Sequence, residues 1–318
     1  MKKQINTRKA AIIGCGFVGS ASAFALAQAG LFSELVLIDA NKDKAIGEAL
    51  DISHGVPFAK PTNIYAGDYK DLEDAYIIII TAGRGQAPGE TRLDLTKKNV
   101  MIFRSIIPQI VQYNKDAILL IVANPVDILT HVALELSGYP KNRVFGSGTV
   151  LDTARFKHLL GEHLQVDSRS VHAVIIGEHG DSEIPVWSSA NVSGIPLHRF
   201  CEMRGFFNHG EAMKKISDDV KNSAYTIIEK KGATYYGIAM SVKRICEAIV
   251  RDEKSILPVS SLQNQFGVDG ITLSMPAILG KDGIEAYTPI SLDENEQKAL
   301  LRSAETLKQT LKTCEECK

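Results

Sequence analysis

The sequence has no apolar run long enough to cross a bilayer. Its apolar runs, residues 76–80 among them, fall far short of the roughly 18 residues a spanning helix needs. It has almost no charge imbalance: 36 Lys and Arg against 37 Asp and Glu give a net charge of −1, which offers no general attraction to nucleic acid or to a membrane surface. Cysteine is scarce and odd in number. Cys15, Cys201, Cys246, Cys314 and Cys317 are too scattered for a disulfide framework and fit a reducing cytoplasm. Cys314 and Cys317 have the spacing of half a zinc site, but there is no second pair, so no metal is expected and the tail is expected to fray. The basic start, Met1-Lys2-Lys3, leads into a glycine-containing strand pattern, which argues against a secretion signal. Internal repeats and low-complexity segments are also missing. What remains is 45% hydrophobic and 23% charged residues over 318 positions, enough for one large or two ordinary domains with a substantial core.

The first part of the chain alternates short apolar runs with longer helical patterns. Residues 9–13, 35–38, 76–81 and 117–122 read as buried parallel strands. Residues 17–29, 92–113 and 128–136 read as helices, with Pro108 expected to bend or interrupt the second. This rhythm predicts an α/β fold: a Rossmann-type doubly wound parallel sheet covered on both faces. After residue 147 the rhythm changes. Residues 149–164 predict a helix, 171–176 a strand, and 210–250 long helix broken near Gly232 and Gly237. Residues 255–290 predict short strands split by Gly and Pro, and 292–311 a closing amphipathic helix. The expected division is a nucleotide-binding domain over 1–147 and a second, α+β catalytic domain over 148–318.

Gly14-Cys15-Gly16-Phe17-Val18-Gly19 fits G-x-G-x-x-G and falls between the first strand and the first helix. Glycines there permit a tight turn and let backbone approach a pyrophosphate seated on the helix N-terminal amides. Asp39 follows Gly19 by 20 residues, at the end of the second strand. A carboxylate there accepts hydrogen bonds from ribose hydroxyls and repels a 2′-phosphate, which favours NAD over NADP. Lys42 and Lys44 are the nearest cations.

Asp152 and Arg155, three residues apart, would share one face of a helix. His179 follows in Gly177-Glu178-His179-Gly180-Asp181. An imidazole against that carboxylate becomes a proton carrier with a fixed tautomer and a raised pKa, and the Arg can grip a substrate carboxylate with two hydrogen bonds. A surface ion pair beside an unrelated loop His is the plainer alternative. The loop after residue 81, Thr81-Ala82-Gly83-Arg84-Gly85-Gln86-Ala87-Pro88-Gly89-Glu90-Thr91-Arg92, would leave the carboxyl end of a parallel strand and so face the ligand crevice. Its glycines suit a mobile lid that carries Gln86 and Arg92 onto bound substrate.

These stretches, with Pro88-Gly-Glu-Thr-Arg-Leu-Asp-Leu95, Asn124-Pro-Val-Asp127, Gly146-Ser-Gly-Thr149, Leu151-Asp-Thr-Ala-Arg-Phe156 and Lys231-Gly-Ala-Thr-Tyr-Tyr236, follow one another along nearly the whole chain. In them the sequence resembles the bacterial L-lactate dehydrogenases of the lactate/malate dehydrogenase family. The resemblance implies His179 as acid in pyruvate reduction and base in lactate oxidation, with Asp152 holding its ring. It implies Arg155 on the substrate carboxylate, Arg92 on the ketone oxygen and Asn124 beside that oxygen. Thr234 and Gln86 would line the side-chain end of the substrate. Gly14, Gly16, Phe17, Val18, Gly19, Asp39, Ala82, Gly83, Asn124 and Ser147 would hold NAD. Malate dehydrogenases of the family carry Arg where Gln86 stands. A neutral amide leaves a second substrate carboxylate uncompensated, so pyruvate is expected over oxaloacetate. Arg84, two residues earlier, keeps malate as an alternative, and branched 2-hydroxy acids are another. A non-catalytic NAD-binding protein would have no use for a proton carrier. The resemblance further implies a cytoplasmic homotetramer in fermentative glycolysis, acting on small molecules and not on nucleic acid or membrane. It also implies a fructose 1,6-bisphosphate site at His172 and Lys157, where Lys stands in place of the family's Arg and loses its planar fork.

Overall fold

A computed structural model describes residues 4–85, 89–207 and 209–315. Gln86 and Cys317 therefore lie outside the described residues. The chain alternates strands and helices through its first half: β1 (Asn6–Ile13), α1 (Phe17–Ala29), β2 (Glu34–Ile38), α2 (Lys42–His54), β3 (Asn63–Ala66), β4 (Ala75–Ile80), α3 (Arg92–Tyr113), β5 (Ile118–Ile121), α4 (Val126–Ser137) and β6 (Val144–Gly146). The second half runs α5 (Val150–Leu164), β7 (Val171–His172), β8 (Ile175–Gly177), β9 (Glu183–Pro185), β10 (Asn191–Val192), β11 (Ile195–Pro196) and α6 (Leu197–Met203). It continues with α7 (His209–Lys231), α8 (Tyr236–Val250), β12 (Ser255–Gln263), β13 (Ile271–Gly280), β14 (Gly283–Tyr287) and α9 (Glu294–Glu315).

Strands β3-β2-β1-β4-β5-β6 lie side by side and are parallel throughout. The central strands are apolar because both faces are covered: all six residues of β4 and all four of β5 are buried. One face packs against Phe103, Ile107 and Ile110 of α3 and Leu129 of α4, the other against Ala23 and Leu26 of α1 and Ile245 and Ile249 of α8. The strand order is that of a doubly wound sheet, and it reverses between β1 and β4, where a ligand crevice opens at the carboxyl ends. Beyond β6 the sheet continues antiparallel through β12, β13, β8 and β9, with β14 on β13, so that eleven strands among the described residues form one mixed sheet. The fold is α/β, as the rhythm of the sequence predicts, with an α+β second half.

Four expectations are corrected. Pro108 does not break α3; its neighbours Ile106, Ile107 and Ile110 are buried in the core, and that packing outweighs the one missing amide. The strand over 171–176 divides in two, because β7 joins a small sheet with β10 while β8 joins the main sheet through β9 and β13. The short strands expected over 255–290 include a long antiparallel pair, β12 and β13, in which Pro258 faces Pro276 in register. The carbonyls of both prolines still accept hydrogen bonds, from Thr149 and Thr288. Finally, Cys314 does not fray but is buried on α9.

Candidate active site

The parallel strands deliver a row of residues along one edge. Asp39 follows β2, Gly14 follows β1, Thr81 to Gly83 follow β4, Asn124 follows β5 and Ser147 follows β6. At the centre of this row Gly14 adopts φ +104°, and a Cβ on it would lie 2.5 Å from the Ala82 nitrogen. A Cβ on Gly19 would lie 1.8 Å from the Gly14 carbonyl oxygen, so α1 could not sit so close to β1 with any other residue there. Gly16 differs: a Cβ there would meet open space, the room through which a ligand reaches the backbone. Helix α1 begins with no side-chain cap and no acidic residue in its first turn, so its amides remain available to an anion. Phe17 and Val18 form that turn, and the Phe17 ring stacks on Tyr235 at 5.2 Å.

Asp39 accepts the N–H of Cys15 (2.6 Å) and of Asn41 (2.9 Å). A carboxylate has about four acceptor positions, so capacity for ribose hydroxyls remains. Gly14, Gly16, Asp39, Ala82 and Gly83 line one cleft of about 740 Å³. Lys42 and Lys44 also line it, and the Lys42 ammonium pairs with Asp68 at 2.9 Å. Glycine backbone, an uncapped helix start and an acidic strand end together fit an adenine dinucleotide without a 2′-phosphate.

Further along the edge, α5 starts three residues after Ser147 and places Asp152 and Arg155 on one face. The loop after β8 brings His179 to them. Its Nδ1 lies 2.5 Å from Asp152 Oδ2, while Arg155 Nη1 donates to Asp152 Oδ1 at 2.9 Å. Asp152 is 1% exposed and the His179 side chain 23% exposed. Burial alone would push the Asp152 carboxyl up, but the His179 and Arg155 charges and their hydrogen bonds outweigh it and hold the carboxyl below its usual range. An ionised carboxylate only accepts, so Nδ1 is the donor and Nε2 is left for chemistry. For His179, burial disfavours the imidazolium, yet Asp152, with smaller contributions from Asp127 and Glu183, raises the pKa to about 9. Burial raises Glu183 itself to about 8, and the charge of Asp152 adds to this. Among the described residues the other terminal nitrogen of Arg155 has no hydrogen bond or ion pair, and it keeps the forked geometry that a carboxylate matches.

Arg92, at the start of α3, also reaches the His179 loop. Nη1 pairs with Asp181 (2.6 Å) and Nη2 with Glu178 (3.1 Å), on either side of the histidine. Gly180 makes the approach possible, since a Cβ there would lie 2.4 Å from Nη2. Tyr225 on α7 donates to the other oxygen of Asp181 (3.1 Å). Asn124 is exposed at the carboxyl end of β5, and Ser147 is buried, with its amide on Ile121 O. Thr234 is half-buried in the turn between α7 and α8, next to the Tyr235 that stacks on Phe17. Lys157 and His172 lie apart from this site and line a separate cavity of about 730 Å³ with Arg244 and Asn191.

Three residues that no spacing rule singles out support the site. Asn99 on α3 accepts the amide of Arg84 (2.8 Å) and donates to the Asn124 carbonyl (2.7 Å), joining the loop after β4 to that after β5. Ser303 on α9 accepts the Glu178 amide (2.9 Å). Asp127 accepts the His179 amide (2.8 Å); it closes the Asn124-Pro-Val-Asp127 stretch, which is its one sequence signal.

Residues 8–146 match the family described as lactate/malate dehydrogenase, NAD binding domain, and residues 149–318 match lactate/malate dehydrogenase, alpha/beta C-terminal domain. The chain is 54% identical over 312 residues to L-lactate dehydrogenase 1 of Clostridium acetobutylicum, covering 98% of this chain and 99% of that protein. It is 54% identical over 307 residues to the L-lactate dehydrogenase of Acetivibrio thermocellus, covering 96% and 97%. Among solved structures, the minor L-lactate dehydrogenase of Enterococcus mundtii in its ligands-bound form superposes with a TM-score of 0.94 at 42% identity, over 97% of this chain and 99% of that one.

The His179–Asp152 pair predicts a linked titration. The folded pKa of about 9 lies above the ordinary 6.5, so the pair stabilises the fold fully below pH 6.5 and loses that contribution as pH rises through 9. In Asp152→Asn, burial remains while the anion is gone, and the His179 pKa is expected to fall below that of the parent. Imidazole proton resonances followed against pH check this; an unmoved titration contradicts it.

Proposed function

The chain belongs to the lactate/malate dehydrogenase family, and on that premise we propose that it reduces pyruvate to L-lactate and runs the reverse reaction, with His179 as proton donor and acceptor. It is an NAD-dependent oxidoreductase. The observation that carries the proposal is the 2.5 Å contact between His179 Nδ1 and a buried carboxylate that also holds Arg155. We take the residues before about 147 as the nucleotide half and those after as the catalytic half.

Bound NADH supplies a hydride for the ketone carbon. The protein supplies the rest. Arg155 clamps the substrate carboxylate with its unspent edge and fixes which face of the ketone is presented. Imidazolium Nε2 gives its proton to the ketone oxygen as negative charge develops there, and Asp152 stabilises the imidazolium until that moment. Arg92 polarises the same oxygen after exchanging at least one of its partners, Asp181 or Glu178, for substrate. A donor of this kind is worth about 3 kcal/mol in the transition state. Asn124 orients the ketone from the end of β5, Ser147 lies towards the nicotinamide carboxamide, and Thr234 bounds the substrate's methyl end. In the oxidation direction neutral Nε2 takes the hydroxyl proton of lactate.

Gln86 lies outside the described residues, so its role rests on the sequence. A neutral amide at the substrate's far end favours a methyl group over a second carboxylate. NADH oxidation with pyruvate, oxaloacetate and 2-oxoisocaproate side by side is expected to rank pyruvate first, and Gln86→Arg to shift preference toward oxaloacetate. Oxaloacetate ranking first in the parent would contradict the reading.

We further propose a cytoplasmic homotetramer whose activity responds to fructose 1,6-bisphosphate. Lys157 and His172 share one cavity, and burial pushes the Lys157 amine down, a shift that a phosphate dianion would reverse. Pyruvate titrations at fixed NADH, with and without the bisphosphate, are expected to show a lower half-saturation point with it. Superimposed curves contradict this regulation.

A further inference from the structure

Asp127 sits in the first turn of α4 and is 1% exposed. No step above uses its side chain. Its Oδ2 accepts the backbone N–H of His179 (2.8 Å), and its Oδ1 accepts the Ser260 hydroxyl (2.6 Å). Its own carbonyl accepts the Thr272 hydroxyl (2.6 Å). The partners stand 52, 133 and 145 positions away, so one residue ties α4, the His179 loop, β12 and β13 together.

A carboxyl group is a costly choice for a purely structural tie at this depth. Burial pushes it up to about 6, with the hydrogen bonds from Ser260 and the His179 amide and the His179 charge opposing. What an anion offers there, and an amide does not, is twofold. Both oxygens accept at once, whereas Asn accepts with its one oxygen and keeps the second contact only if the Ser260 hydroxyl reverses to accept from its NH2. It also places a second negative charge beside His179, behind the one on Asp152.

We propose that Asp127 is a positioning residue for proton transfer: it anchors the His179 backbone to the sheet, so that the imidazole stays against Asp152, and its charge favours the imidazolium. This rests on the reading of His179 as the proton carrier. The ionisable groups around His179 are Asp152 and Arg155 on α5, Asp127 on α4, Glu183 on β9, the adjoining Glu178 and Asp181, and Arg92 of α3 paired with both of these, with Lys221 of α7 acting on Glu183. Of these, Asp127 alone holds the histidine's own backbone amide among the described residues.

The test is the pH profile of kcat/KM for pyruvate in the parent, Asp127→Asn and Ser260→Ala. Reduction needs protonated His179, so the parent profile falls on the alkaline side. A parent with no such limb overturns the reading of His179, and the role of Asp127 falls with it. Given the limb, Asp127→Asn is expected to lower kcat/KM by on the order of tenfold or more, as a displaced proton donor does. It is also expected to move the limb to lower pH while NADH affinity, read by fluorescence, is unchanged. Ser260→Ala leaves Asp127 ionised at the pH of the limb and removes only its tie to β12, so it is expected to keep the limb in place and to lower kcat/KM by less than Asp127→Asn. An Asp127→Asn variant that loses thermal stability but keeps the parent's limb shows a structural tie only and overturns the proposal. If Asp127→Asn does not fold, Ser260→Ala decides: a kcat/KM equal to the parent's overturns the proposal, and a lowered kcat/KM with NADH affinity unchanged supports it.

Discussion

One buried carboxylate organises the chemistry. Asp152 is out of water, where a lone anion would be untenable, and it stays ionised because two cationic groups meet it from different directions. Arg155 comes from the next turn of the same helix, so its place is settled as soon as α5 forms. His179 comes from a loop 27 residues further on and has to be brought there by the tertiary fold. The pair therefore reports whether the loop after β8 has packed against α5 within the second half of the chain. The same contact fixes which imidazole nitrogen bears the exchangeable proton, so fold and reactivity share one hydrogen bond.

The supporting structure follows from that requirement. The loop bearing His179 is held at its backbone by Asp127, at the preceding amide by Ser303 of the last helix, and on its outer side by Arg92. These holds come from α4, α9 and α3, three elements separated widely in the chain. The nucleotide cleft opens at the carboxyl ends of the same parallel strands, and β6 leads within a few residues into α5. On the proposed mechanism, hydride donor and proton donor belong to adjacent stretches of a single sheet edge. Arg92 is the exception in that one of its two acids, Asp181, is exposed, and an ion pair open to solvent is weak enough to exchange for a substrate.

How much of this is legible in the sequence depends on the range of the interaction. The glycine turn, Asp39 and the Asp152–Arg155 pair are local patterns, and each falls where spacing predicts. Strands β4 and β5 and the carboxyl-terminal parts of β1 and β2 are readable because both their faces are covered and their residues there are apolar. Helix α2 and strand β3 escape such reading. In α2 only Ala45 and Ala49 are buried, so the apolar stripe is faint, and β3 is a four-residue edge strand. The length of β12 and β13 is also hidden, since Pro258 and Pro276 look like breaks until the two strands are seen to place them opposite one another. Asp127, Asn99 and Ser303 act across tens to more than a hundred positions, and no local period encodes such a contact.

Replacing the imidazole by a carboxamide asks the central question most directly. His179→Asn keeps the size of a polar side chain and removes the titratable proton. With dinucleotide binding verified by NADH fluorescence and folding by circular dichroism, single-turnover NADH oxidation with saturating pyruvate is expected to fall by about 10² to 10⁴-fold, the usual worth of a general acid. A variant that binds NADH normally and turns pyruvate over at the parent's rate would contradict the account.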